Sequence, residues 1–251
     1  MSAKGKGGRD KSRGEGGLSG RGLHTKVRSA KGRKLSSTLW LQRQLNDPYV
    51  AEAQKRGYPS RAAFKLLELD DKYHFLKPGK RIVDLGAAPG GWTKVAVERT
   101  DPENNAQGLV VALDINEMEP VSGAKILLHD FLDEAAPDLL KEALGGKVDI
   151  VLSDMAAPAT GHAATDHLKI MALCEAALEF AFEMLKPDGV FIAKVLQGGT
   201  ENDMLKAMKK DFKTVRHVKP PASRSDSAEM YVVATGYRGE EQGLDSSTSS
   251  V

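Results

Sequence analysis

The sequence predicts an α/β fold, a largely parallel sheet covered by helices on both faces, and three observations predict it. After residue 80, short apolar, β-branched runs alternate regularly with segments of helical periodicity. A glycine-dense turn, Gly86 to Gly91, joins the first of these runs to the first helix that follows it. Runs such as residues 189–195, Gly-Val-Phe-Ile-Ala-Lys-Val, are apolar almost throughout, as expected of strands buried on both faces.

The chain opens differently. Residues 1–34 carry eleven Lys and Arg against Asp10 and Glu15, so nine positive charges in excess, while the remainder carries seven negative ones for a total of +2. Nine glycines and almost no large apolar residues keep this segment from burying a core, so residues 1–35 are expected to be a disordered basic tail. Such a tail attracts phosphate through salt-dependent, sequence-independent contacts. It lacks the apolar core of a secretory signal, and no run of about 18 apolar residues occurs, so neither export nor a spanning helix is expected. Cys174 is the only cysteine, which leaves no disulfide framework and points to a reducing compartment, the cytoplasm. The histidines lack metal-ligand spacing.

From residue 36 to 69 the pattern is helical. Trp40, Leu41, Leu45, Tyr49 and Val50 space out one amphipathic segment, broken at Pro48, and Phe64, Leu66, Leu67 and Leu69 begin another. Between them lies the basic stretch of residues 55–61, with Ser60 expected to cap the following helix and Lys65 in its second turn. Residues 81–85 form the first strand, and a helix starts at Thr93. Strands follow at 108–114, 125–128, 148–153, 189–195, 214–218 and 229–235, and helices at 137–144, 166–185 and 202–212. Residues 36–238 are the expected folded domain, followed by a Ser-rich disordered end at 239–251.

The turn at 86–91 is built as a ligand cradle, because glycines let a ligand approach the backbone and a helix start presents unpaired N–H groups. A dinucleotide fingerprint needs a third glycine where this chain has Ala88 and Pro89, and no Lys-Ser or Lys-Thr pair completes a Walker loop. Asp84 through Trp92, Asp-Leu-Gly-Ala-Ala-Pro-Gly-Gly-Trp, instead resembles motif I of S-adenosylmethionine-dependent methyltransferases, and in full form the FtsJ/RrmJ group of ribose 2′-O-methyltransferases.

Asp114, Asp130 and Asp154 stand at strand ends, where α/β sheets bind ligands, and their carboxylates suit an adenosyl ligand. Asp114 is placed to accept from both ribose hydroxyls. The resemblance implies that Asp130 contacts the adenine region and that Gly90 and Trp92 complete the cofactor contacts, with Asp154 at the methionine end. Lys194, inside an apolar run, and Glu229, heading Met-Tyr-Val-Val-Ala-Thr, are costly to bury unless partnered. Lys65, Asp154, Lys194 and Glu229 resemble, in order, the Lys-Asp-Lys-Glu tetrad of the group, in which Lys194 would be the proton acceptor. The alternative for Lys194 is a charged group that steers the hydroxyl and stabilises negative charge on oxygen.

The resemblance spans residues 36–237 and departs at Pro158, one position late, and at residues 223–228, which are less basic. It implies a Rossmann-like S-adenosylmethionine methyltransferase fold with a seven-stranded, mostly parallel sheet and an antiparallel last strand. It also implies methylation of a uridine ribose in 23S rRNA on the large (50S) ribosomal subunit, by a monomer without metal. A tRNA or mRNA-cap 2′-O-methyltransferase shares the tetrad, and a non-catalytic ribosome-assembly factor is the alternative outside the enzymes.

Overall fold

A computed structural model describes residues 35–198 and 202–239, so the two expected tails lie outside the described residues apart from Leu35 and Gly239. The chain divides into two compact units, Met1–Glu52 and Ala53–Val251. Helix α1 (Leu35–Leu45) lies in the first, and α2 (Pro48–Arg56) begins there. Pro48 is the first residue of α2, a position that needs no N–H, so the break expected at Pro48 falls just before it. There the Asp47 carboxylate accepts from the Tyr49 amide at 3.0 Å.

The second unit is built on seven strands in the order β3-β2-β1-β4-β5-β7-β6. These are β1 (Arg81–Leu85), β2 (Leu109–Asp114), β3 (Ala124–Leu128), β4 (Val148–Ser153), β5 (Leu185–Leu196), β6 (Phe212–Val218) and β7 (Glu229–Tyr237). Strands β1 to β5 run parallel, and β7 lies antiparallel to both β5 and β6. The helices of this unit are α3 (Ala63–Tyr73), α4 (Gly91–Thr100), α5 (Ala136–Leu144), α6 (Ala163–Met184) and α7 (Asn202–Asp211).

Alternation along the strands divides the core into two layers. Val83, Leu85, Val111, Val151, Phe191, Ala193 and Val232 face α5, α6 and α7, whose Leu140, Cys174, Leu178, Phe180 and Met208 are buried against them. Residues of the other parity, including Ile82, Asp84, Ile192 and Tyr231, are fully buried on the side of α3 and α4. Each large apolar side chain so removed from water contributes on the order of 2 kcal/mol.

The expected elements form with two local corrections. Ser60 does not cap α3: the residue before the helix is Ala62, in helical conformation and without a side-chain cap, which places Lys65 in the first turn. The Ser60 carbonyl instead accepts from the Ala63 amide in a tight turn, and its hydroxyl is buried without a partner against Gly91. A Cβ at Gly91 would lie 2.6 Å from that hydroxyl, so the glycine sets the closeness of α3 and α4. Helix α6 starts three residues before Asp166, capped by His162. Asp166 turns back and accepts from the Thr160 amide and hydroxyl at 2.7 and 2.6 Å, holding the loop that follows Asp154.

Candidate active site

Strand order reverses between β1 and β4, which opens a crevice at the carboxyl edge of the sheet. A cavity of about 610 Å³ fills it, lined among others by Gly86, Asp114, Asp130, Phe131, Asp154 and Lys194. Gly86 has φ +76°, and a Cβ there would stand 2.7 Å from the Met155 backbone, so only glycine lets the two strand ends meet beneath the cavity.

Asp114 ends β2 with one oxygen accepting from the Ala88 amide at 2.9 Å and the other from the Asn116 amide at 2.7 Å. These bonds fix the carboxylate against the turn. Asp130 is exposed at the far wall and accepts from the Leu132 amide at 3.0 Å. Ile115 and Leu132, both more than half exposed, add apolar wall on either side. A cavity of this size with apolar lining beside carboxylates fits a nucleoside whose other end is cationic, so these residues fit S-adenosylmethionine. Gly90 and Trp92 do not line this cavity. The Trp92 indole is buried, donates to the Ala62 carbonyl at 2.9 Å and packs on Tyr231 with ring centroids 5.4 Å apart. A cofactor contact at these two positions would therefore come from main chain.

The four residues drawn from α3, β4, β5 and β7 meet in one cluster. Lys194 Nζ lies 2.9 Å from Asp154 Oδ1 and donates to the Asp154 carbonyl at 2.8 Å. Lys65 Nζ lies 2.7 Å from Glu229 Oε1. The two ammonium–carboxylate pairs approach where Lys194 stands 3.9 Å from Glu229 Oε2, too far for a direct hydrogen bond. All four side chains are 10 to 17% exposed, buried enough to hold a shape yet open to a ligand.

The antiparallel register produces this meeting. It pairs Lys194 with Tyr231 and Leu196 with Glu229, so the head of β7 returns to the carboxyl edge reached by β5. The lysine of the apolar run thus has its partners.

Tyr231 belongs to the cluster and was not among the expected site residues. Fully buried, its hydroxyl donates to Asp154 Oδ1 at 2.6 Å and accepts from Lys65 Nζ at 3.1 Å, linking the two ion pairs. Burial, reinforced by the negative charges of Asp154 and Glu229, pushes its ionisation well above the ordinary phenol, so it stays a donor. Its signal in the sequence is a phenol two residues after Glu229, on the same face of a strand otherwise too apolar to satisfy it. Asp154 shows the opposite balance. Burial would raise its carboxyl, but Lys194, Lys65 and the Tyr231 hydroxyl outweigh burial and hold it below the ordinary carboxylate range.

Asp84, part of the glycine-turn motif but assigned no role from the sequence, lies fully buried beneath the turn. One oxygen accepts from the Thr93 hydroxyl at 2.7 Å and the other has no partner. Burial pushes this carboxyl up to about 7; the Thr93 bond opposes the rise, and Asp154 and Asp114 add to it. Among the described residues, no group of three or more His, Cys, Asp or Glu is placed to hold a metal ion, and no helix is long and apolar enough to cross a membrane.

Known proteins resemble the chain over most of its length. A family model described as FtsJ-like methyltransferase matches residues 58–237. The chain is 63% identical over 223 residues to "Ribosomal RNA large subunit methyltransferase E" of Paramagnetospirillum magneticum, spanning 88% of this chain and 91% of the relative. It is 60% identical over 236 residues to the protein of the same name from Parvibaculum lavamentivorans, spanning 91% and 93%. A crystal structure from Plasmodium falciparum, named as a ribosomal RNA methyltransferase, is similar with a TM-score of 0.64 at 32% identity, over 72% of this chain and 100% of that one.

Proposed function

The chain belongs to the FtsJ-like methyltransferase family, and from that premise we propose that it methylates the ribose 2′-hydroxyl of a uridine in 23S rRNA, in the assembled large subunit, with S-adenosylmethionine as donor. The observation that carries the reading is the cluster of Lys65, Asp154, Lys194, Glu229 and Tyr231 beside a nucleoside-sized cavity.

The cofactor, when bound, supplies an electrophilic methyl group on sulfonium. The protein's own residues do the rest. Asp114 would receive the ribose diol, Asp130 and the apolar walls the base, and Asp154, which lines the cavity and also holds Lys194, the cationic end. Through this double use Asp154 would hold the donor end of the cofactor and Lys194 on one carboxylate. A hydroxyl at neutral pH is a weak nucleophile, so its proton must be taken or its developing charge stabilised. Lys194 Nζ can do either. As a neutral amine it accepts the proton; as an ammonium it steers the oxygen and stabilises negative charge. Glu229 Oε2 lies 3.9 Å from Lys194 Nζ, a spacing that one acceptor hydroxyl lying to the side of the pair would bridge with a hydrogen bond to each. Lys65 orients the ribose and is itself oriented by Glu229 and Tyr231.

RNA is the acceptor because only RNA carries a 2′-hydroxyl, and residues 55–61 with the basic tail supply phosphate contacts. This reading places the protein in the cytoplasm, acting as a monomer without metal. Labelled methyl transfer to unmodified large subunits, compared with free rRNA, tRNA and capped mRNA, tests it: label on tRNA or a cap alone would discard the target.

A further inference from the structure

One face of α3 carries more than Lys65. Lys65 and Glu68, three residues apart, share one face of α3, and Arg61 lies in the turn two residues before that helix. All three reach the segment that runs from Ala222 to Glu229. Lys65 takes Glu229, while Arg61 Nη2 donates to the Ala222 carbonyl at 2.5 Å and Glu68 Oε2 accepts from the Ala222 amide at 2.7 Å. Both polar backbone groups of one loop residue are thus gripped by charged side chains 161 and 154 positions away in sequence.

Ala222 belongs to the irregular connection 219–228 that leads into β7, and it is fully buried. A buried main-chain amide and carbonyl in such a connection require partners, and the strands provide none here. The next residue, Ser223, donates from its hydroxyl to Glu229 Oε1 at 2.9 Å. Glu229 Oε1 therefore accepts from Lys65 and from Ser223 together, which turns Oε2 toward Lys194.

We propose that Glu68, with Arg61, is a positioning residue for methyl transfer. By gripping Ala222 it fixes Ser223 against Glu229 and so sets the spacing between Glu229 and Lys194 that the acceptor hydroxyl bridges. This rests on the functional reading above and deepens it. The charge-assisted bonds to a single residue's main chain leave it little freedom, and the path from Glu68 to that spacing runs through only two residues.

The test compares E68A, E68Q and S223A in the full-length protein, using unmodified large ribosomal subunits and saturating S-adenosylmethionine. A shift on the order of 1 Å in reacting groups can cost about a hundredfold in rate. We expect single-turnover methylation to fall at least about tenfold in E68A and in S223A, with cofactor affinity within about twofold of wild type. Gln keeps an oxygen that accepts from the Ala222 amide, so E68Q should stay within about threefold of wild type. The E68A/S223A double variant should be no slower than the slower single variant, because both act along one path. Amide exchange of residues 219–228 should quicken in E68A and not in E68Q.

Full single-turnover rate in E68A, effects that multiply in the double variant, or a loss in E68A matched by E68Q would each overturn the proposal. An E68A protein that fails to fold leaves E68Q and S223A to decide it, since S223A at the wild-type rate removes the path. If the wild-type protein transfers no methyl to ribose, the functional reading and the clamp's catalytic role fall together; an active wild type beside an equally active E68A removes the clamp alone.

Discussion

Asp84 makes the pH dependence of stability predictable. Its carboxyl rises to about 7 in the folded protein because it is fully buried with one oxygen unpartnered and faces Asp154 and Asp114, against an ordinary value of 3.8 in the open chain. Below about pH 4 it is protonated in both states and has no effect. Between about 4 and 7 the unfolded chain releases the proton and the folded protein keeps it, so folding loses about 1.4 kcal/mol for each pH unit. The whole loss is on the order of 4 kcal/mol, of which about 3 kcal/mol falls between pH 5 and 8. In D84N nothing titrates at this site, and the amide oxygen can still accept from Thr93. Urea unfolding of both proteins at pH 5 and pH 8 isolates the effect, because other ionising groups are shared. The stability of wild type relative to D84N should fall by about 3 kcal/mol from pH 5 to pH 8. A difference that stays constant within about 1 kcal/mol would refute the reasoning and mean that Asp84 is ionised or partnered throughout.

The cluster sets further outcomes. Y231F removes a buried hydroxyl that bonds one carboxylate and one ammonium, so stability measured by urea should fall by about 2 kcal/mol. The Asp154 carboxyl then rises toward its ordinary value, and because a depressed carboxyl adds stability only above its folded pKa, the deficit of Y231F should shrink as pH falls below about 4. K194A should lower single-turnover methylation at least a hundredfold, and a rate within about threefold of wild type would discard its role. In wild type, a single-turnover rate that rises with pH through one ionisation marks Lys194 as a base; a flat profile marks it as a charged stabiliser.

Much of this arrangement is legible in the sequence. Lys194 stands out because an ammonium in an apolar strand demands partners, and it meets Asp154. Gly86 to Gly91 stands out as a ligand cradle, and what its glycines admit in the structure is chain, Met155 at Gly86 and Ser60 at Gly91. Tyr231 escapes a sequence reading because only the register of β5 against β7 sets its hydroxyl between Asp154 and Lys65. Arg61 and Glu68 are visible as charged residues at and before α3, but their partner Ala222 lies far along the chain and contributes only main chain. Ser60 has the residue type of a cap, whereas the turn at 60–63 commits its carbonyl and leaves its hydroxyl facing Gly91. Resemblance gives Trp92 to the cofactor, while its ring is committed to Ala62 and Tyr231.

The most direct measurement is transfer of labelled methyl from S-adenosylmethionine to large ribosomal subunits that lack modification, with the product mapped by resistance to alkaline cleavage. The expected result is label on the 2′-oxygen of one uridine of the large-subunit RNA, abolished by K194A. Label on a base rather than on ribose, or equal label with K194A, would contradict it.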